Sequence, residues 1–297
     1  MSVLQSHMID AGGVRLHVAE MGSGTPVVLL HGFTGSARAM ACVAGGLSDR
    51  HRTLSVDLVG HGRSAAPRDA AAYSMAACVG QLASVLEELD VHDAHLIGYS
   101  MGGRVALAFC VAHPARVASA LLVGASAGFR DPQQRMDRAR DDEALAERIE
   151  REGVEAFVEF WISQPFLVDE RRLGARGVAE ARKLRLENSA HGLAASLRGM
   201  GPGAQPPVHG ALARIAVPIC LAVGDEDLKF RALAVQMSQE LPNARVEIVP
   251  EAGHSAHTDN PAAFLVLARR FLADAKVSKK TPLSAAEAAP QTQLRTT

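Results

Sequence analysis

Three short runs, "PVVLLH", "AHLIGYS" and "ASALLVG", are largely apolar rather than alternating, the shorter "TLSVD" also looks like a buried strand, and helical patterns lie between them. A strand covered on one face alternates apolar and polar residues. A strand apolar on both faces needs cover on both, which a parallel sheet with helices on each side supplies. "VRLHVAE" does alternate, as a half-exposed strand should, and "MAACVGQLASVLEEL" brings Met75, Val79, Leu82, Leu86 and Leu89 near one helical face. Further on, "VPICLAVG" and "RVEIVP" are each followed by a helical pattern, the last ending near Ala273. The chain is therefore expected to be α/β, with a mostly parallel central sheet and helices on both faces.

The two strand-rich blocks, 1–125 and 206–275, flank a different middle. Residues 126–205 are rich in Arg, Glu, Asp and Ala, and Leu145, Ile149, Val154, Phe157, Val158 and Trp161 recur there at helical spacing. This stretch is expected to be a helical insertion. Ligands of open α/β sheets bind beyond the carboxyl ends of the strands, so an insertion leaving from the end of "ASALLVG" would roof that crevice as a lid. Residues 276–297 carry few large apolar side chains and are expected to be a disordered tail. With 297 residues, 48% of them hydrophobic, one large domain with an inserted subdomain has core enough to fold without staples.

Charge excludes some classes of partner. There are 31 basic against 32 acidic residues, which gives no electrostatic footprint for nucleic acid or an acidic membrane. Cys42, Cys78, Cys110 and Cys220 lack the Cys-x-x-Cys spacing and read as free thiols in a reducing compartment, with a disulfide pair as the alternative. The opening "MSVLQSHMIDAGG" has no signal-peptide pattern, and no stretch approaches the roughly 18 apolar residues of a membrane helix. A cytoplasmic protein is expected, acting as a monomer or weak homo-oligomer on a small molecule, with no nucleic acid and no membrane insertion. No metal-ligand spacing or phosphate-binding glycine loop occurs, so no metal and no cofactor is expected.

The chemistry is carried by "GYSMGG", where an apolar run meets a helical one and Gly98, Ser100 and Gly102 have Gly-x-Ser-x-Gly spacing. A serine on a sharp strand-to-helix turn is forced into a strained conformation, and only residues without a Cβ let strand and helix approach so closely. An activated serine needs a base, and the base needs an orienting group. "GDEDLKF" offers Asp225, Glu226 and Asp227 at one later strand end, and "VPEAGHSAH" offers His254 and His257 at the next. Ser100, Asp227 and His254 follow one another in the chain order of a nucleophile-elbow triad. After "PVVLLH", the turn "HGFTGS" can aim the Phe33 amide at the same centre as the Met101 amide, giving two donors for a developing anion. In "DLVGHGRS", His61 reads as structural, since one base is already assigned.

The set "HGFTGS", "DLVGHGRS", "GYSMGGR", "GDEDLKF" and "AGHSAH" resembles the α/β-hydrolase fold superfamily over nearly the whole chain before the tail. "GYSMGGRVAL", "FWISQPF", "LRLENSAHGLAASLRGMGPGAQPP" and "GDEDLKFRALA" resemble more narrowly the 2-succinyl-6-hydroxy-2,4-cyclohexadiene-1-carboxylate synthase family of menaquinone biosynthesis. The resemblance implies a lyase that eliminates pyruvate from a cyclohexene polycarboxylate, with Ser100 as a base made competent by His254 and Asp227. A serine carboxylesterase or carbon–carbon bond hydrolase on the same fold is the alternative. Arginine binds carboxylates with a two-pronged fork. The resemblance marks Arg104 and Arg185 as carboxylate ligands, and Arg138 as a third, with Arg135 and Arg140 as close alternatives. It also marks Tyr99 and Trp161 as lining the site.

Overall fold

The computed structural model describes residues 3–164 and 170–279. Eight strands, β1 (Gln5–Asp10), β2 (Arg15–Met21), β3 (Thr25–Leu30), β4 (His51–Val56), β5 (Ala94–Tyr99), β6 (Val117–Val123), β7 (Ile219–Gly224) and β8 (Ala244–Val249), form one sheet. Its order is β1-β2-β4-β3-β5-β6-β7-β8. β2 runs antiparallel to both its neighbours, and all other pairs from β4 to β8 are parallel. β1 was not picked out in the sequence. It is an edge strand with a mostly exposed burial pattern, so it carries neither an apolar run nor a clean alternation.

The all-apolar strands are covered on both faces, and alternate residues enter two separate cores. From β3, Val28 and Leu30 join one core while Val27 and Leu29 join the other; β6 divides likewise into Leu122 on one side and Leu121 and Val123 on the other. α1 (Ala41–Leu47) and α10 (Pro261–Lys279) supply residues to the second face, and α2 (Met75–Glu88) and α3 (Met101–Ala112) to the first. Each fully buried leucine of these cores contributes about 1.5–3 kcal/mol. α2 starts where Ser74 Oγ accepts the Ala77 N–H at 3.2 Å. Of its expected apolar face, Met75, Val79, Leu82 and Leu86 are buried, and Leu89 packs at the margin.

Between β6 and β7 the chain forms α4 (Pro132–Ile162), α5 (Glu170–Leu186), α6 (Ala190–Met200) and the short α7 (His209–Leu212). α4 begins with Asp131 capping the Gln133 N–H at 2.8 Å and Pro132 in the first turn, and it breaks at Gly153 (φ 81, ψ 169). Ile149, Phe157 and Val158 pack with Leu193, Ala194 and Leu197 of α6 into a third core, separate from the sheet. α8 (Leu228–Ser238) follows β7, and α9 (Ala256–Asp259) precedes α10. α10 continues through Lys279, past the Lys276 boundary given to the tail. Residues 280–297, with Pro165 and Phe166 of "FWISQPF", lie outside the described residues.

Candidate active site

Ser100 stands at the junction of β5 and α3 with φ 49 and ψ −106, a left-handed conformation that a side chain other than glycine's seldom adopts. The glycines around it answer a packing requirement. A Cβ on Gly98 would lie 2.4 Å from the Gly102 carbonyl oxygen, and one on Gly102 would lie 2.3 Å from the Leu30 carbonyl oxygen. β5, α3 and the end of β3 therefore meet backbone to backbone. The Ser100 amide is fastened to the Val123 carbonyl at 2.8 Å, so the strain is held from the neighbouring strand.

The three strand ends bring the predicted relay together. His254 Nε2 lies 3.2 Å from Ser100 Oγ, and His254 Nδ1 lies 2.8 Å from Asp227 Oδ2. Because a carboxylate can only accept there, Nδ1 carries the proton and Nε2 is free to take one from the serine. Asp227 is also the N-cap of α8, its Oδ1 accepting the Phe230 N–H at 3.2 Å, so one carboxylate starts a helix and orients the imidazole. The His254 ring packs against Phe230, with ring centroids 4.4 Å apart, and against Tyr99 at 5.4 Å.

Its acidic neighbours have other duties. Asp225 accepts the N–H groups of Glu251 and Ala252, both at 3.0 Å, tying this loop to the one that carries His254. Glu226 pairs with Arg172 at 2.5 Å. His257 is fully buried against Tyr99, with ring centroids 4.5 Å apart, and burial first, with the nearby His254, pushes its pKa down to about 3. It stays neutral and lies outside the relay.

Opposite the serine, the turn after β3 passes close enough that a Cβ on Gly32 would lie 3.5 Å from Ser100 Cβ. His31 fixes this turn: its Nδ1–H donates to the Gly32 carbonyl at 2.8 Å, and its Nε2 accepts the Leu58 N–H at 3.0 Å. Met101 is the first residue of α3, where a main-chain N–H has no partner within the helix and the helix dipole is positive. The Phe33 ring packs edge-on against Trp161, at 5.4 Å between centroids, and against His61 at 5.9 Å. His61 is fully buried, and desolvation first, with His31 adding to it, pushes its pKa down to about 3.

The relay opens into a cavity of about 1030 Å³ lined by both the sheet's loops and the inserted helices. Phe33, Ser100, Met101, Arg104, Arg138, Trp161, Asp227 and His254 line it. Of the three neighbouring arginines on α4, Arg138 faces this space, while Arg135 and Arg140 are exposed. Arg138 Nε donates to Asp142 Oδ1 at 2.8 Å, and Asp142, itself buried, also accepts the Gly203 N–H at 2.9 Å. Arg104 is buried, and its Nη1 donates to the Met200 carbonyl at 2.6 Å and reaches Gln205 Oε1 at 3.5 Å. Burial pulls its pKa down to about 10, Asp142 opposing the shift and Arg138 adding to it.

Two expected members do not line the cavity. Tyr99 turns its hydroxyl to Ser255 Oγ at 2.7 Å, and Arg185 donates from Nη1 to the Ala181 carbonyl at 2.8 Å, its buried Nε having no partner among the described residues. Several residues of the cavity lining were not singled out in the sequence, Arg130, Arg172 and Lys229 among them. Arg172 of α5 lines it and reaches both Glu226, beside Asp227, and Asp259 at 3.8 Å, whose carboxylate accepts the Gly253 N–H at 2.8 Å. In an arginine-rich insertion nothing in the local sequence separates it from the exposed Arg176 and Arg182.

A second Ser–His–Asp chain exists in the fold. His17 Nδ1 lies 2.8 Å from Asp57 Oδ2 and its Nε2 lies 3.0 Å from Ser6 Oγ. Here Ser6 is exposed on an edge strand and outside the cavity, and Asp57 also accepts the N–H groups of Ala37 and Arg63. This chain pins β1 and β2 to the loop after β4. Among the described residues, no group of three or more His, Cys, Asp or Glu side chains is gathered to hold a metal ion.

The family described as the alpha/beta hydrolase fold matches residues 25–261. A Bacillus subtilis (strain 168) protein, provisionally named a 2-succinyl-6-hydroxy-2,4-cyclohexadiene-1-carboxylate synthase, is 39% identical over 262 residues, 88% of this chain and 95% of that protein. A Klebsiella pneumoniae protein named for the same synthase is 34% identical over 247 residues, 83% of this chain and 93% of its own length. Among solved structures, MenH from S. aureus superposes with a TM-score of 0.83 at 27% identity, covering 88% of this chain and 98% of that one.

Proposed function

Since the chain belongs to the α/β-hydrolase fold family and, within it, to the 2-succinyl-6-hydroxy-2,4-cyclohexadiene-1-carboxylate synthases, we propose that it is a carbon–oxygen lyase. It eliminates pyruvate from 2-succinyl-5-enolpyruvyl-6-hydroxy-3-cyclohexene-1-carboxylate and leaves the cyclohexadiene. The observation that carries this reading is the Ser100–His254–Asp227 relay opening into a cavity that also presents Arg104 and Arg138. A cavity for an apolar ester gains nothing from lining cations, whereas a polycarboxylate gains charge-assisted hydrogen bonds worth about twice a neutral one.

In this reaction the acidic proton beside the succinyl ketone passes to Ser100 Oγ as the serine's own proton moves to His254 Nε2. Asp227 holds the imidazole in the required tautomer and stabilises the imidazolium. The ketone oxygen gathers negative charge as the enolate forms, and the amides of Phe33 and Met101 receive it. Two such donors lower a barrier by several kcal/mol. The electrons then return through the ring, the carbon–oxygen bond to the enolpyruvyl group breaks, and protonation of the departing enolate from His254 gives pyruvate. Arg104 and Arg138 hold substrate carboxylates, Trp161 lines the ring site, and Tyr99 packs beside the imidazole. The inserted helices act as a lid. The free, mostly buried cysteines suit a reducing cytoplasm.

Elimination and hydrolysis differ in what they do with water. In oxygen-18 water the proposed lyase releases products whose carboxylates carry no label. Label in a newly formed carboxylate would instead assign the relay to an esterase or carbon–carbon bond hydrolase.

A further inference from the structure

The Phe33 amide is followed by a residue in an unfavourable conformation. Thr34 has φ 66, is fully buried, and its Oγ1 has no hydrogen-bond partner among the described residues. A non-glycine residue held in the left-handed region is strained and persists only where its surroundings impose it. The hold on Thr34 comes from the inserted helices. Asn188, two residues beyond the end of α5 and buried, donates from Nδ2 to the Thr34 carbonyl at 2.9 Å. The same nitrogen donates to the Arg185 carbonyl at 3.0 Å, and Asn188 Oδ1 accepts the Gly62 N–H at 2.9 Å. One side chain thus joins three segments far apart in sequence: the anion-site turn after β3, the glycine turn after β4, and the end of the helix that carries Arg185.

A second tie lies outside the first. Arg38, in the turn that follows Thr34, pairs with Glu187 and, at 3.3 Å, with Glu180. Both partners belong to the same end of the insertion as Asn188. Being exposed, these pairs add little energy, so the buried amide carries the junction.

We propose that Asn188 is a positioning residue for the anion site, setting the Phe33 amide through Thr34 so that the site is complete only while the end of α5 is seated. The inference rests on the assignment of the Phe33 and Met101 amides as the anion site. It is tested by a ligand that uses that site without any elimination: a trifluoromethyl ketone carrying one carboxylate. Ser100 Oγ adds to its carbonyl carbon, the serine proton goes to His254 Nε2, and the carbonyl oxygen becomes an alkoxide facing the amides. Succinate, which reports only the cations, is the companion ligand.

Removing one anion-site donor outright costs about 100-fold to 1,000-fold, and loosening it costs less. Asn188→Ala and Asn188→Asp are each expected to weaken ketone binding by about tenfold or more while succinate binding stays within about twofold. The aspartate keeps the acceptor for Gly62 while turning a carboxylate oxygen toward the Thr34 and Arg185 carbonyls, so it breaks those two bonds and serves should the alanine variant fail to fold. Unchanged ketone affinity in a folded variant, or equal losses for ketone and succinate, would overturn the proposal. If Ser100→Ala binds the ketone as tightly as the unmodified chain, the anion-site assignment itself fails, and the proposal with it.

Discussion

Alanine at position 98 puts a methyl group where the elbow has no room. Its Cβ would sit 2.4 Å from the Gly102 carbonyl oxygen and 2.7 Å from the Gly103 Cα, whereas real contacts do not fall below 3.0 Å. Both obstacles are backbone, so no side chain can swing aside. β5 and the first turn of α3 must separate by at least about 0.6 Å. Ser100 lies between them, with its Oγ already 3.2 Å from His254 Nε2, at the long end of hydrogen-bond range. A shift of that size carries the pair toward loss of contact, and misplacement by about 1 Å costs roughly 100-fold in rate. Gly98→Ala is therefore expected to lower kcat by about 10-fold to 100-fold, with overpacking removing about 1–3 kcal/mol of stability. Pyruvate release coupled to lactate dehydrogenase reads the rate, and circular dichroism with a thermal melt reads the fold. Succinate affinity should fall less than the rate, since Arg138 lies on α4, away from the displaced turn. A folded variant with kcat within about twofold of the unmodified chain would refute the steric account of the elbow.

Two further outcomes follow from the surroundings of the relay. Arg104→Ala is expected to weaken both substrate and succinate by about tenfold or more, since a hydrogen bond to a charged group is worth about 1.5–3 kcal/mol; calorimetric affinities unchanged for both would remove it from the carboxylate site. His61 and His257, each pushed down to about 3 by burial, titrate near 6.5 once unfolded. Between those values the unfolded chain binds more protons than the folded one, so stability falls as pH drops below about 6.5, by up to about 1.4 kcal/mol per pH unit for each ring. A melting temperature unchanged from about pH 7 to pH 5 would contradict this.

What the sequence made legible were features that a steric or periodic rule writes into single positions. Gly98 and Gly102 are dictated by backbone contact. The unbroken apolar strands are dictated by cover on both faces, and Ser100, Asp227 and His254 by their succession on strand ends. What it concealed depends on contacts between distant segments. Arg138 could have been separated from Arg135 and Arg140 by helical phase, because it shares a face of α4 with Asp142 and the buried Ile149. Arg172 and Asn188 offer no such signal, since their partners come from other loops. The resemblance marks Arg185 as a carboxylate ligand and Tyr99 as lining the site, and whether a side chain faces a cavity or a neighbouring carbonyl or hydroxyl is settled by tertiary packing. β1 escaped notice because an exposed edge strand needs no apolar pattern.

The central claim to test is that this relay drives an elimination. The direct measurement is pyruvate formed per enolpyruvyl substrate consumed, followed with lactate dehydrogenase, for the unmodified chain beside Ser100→Ala. One pyruvate per substrate, with the rate lowered by orders of magnitude in the folded serine variant, is the predicted result. Consumption without pyruvate, or a Ser100→Ala rate close to that of the unmodified chain, would contradict it.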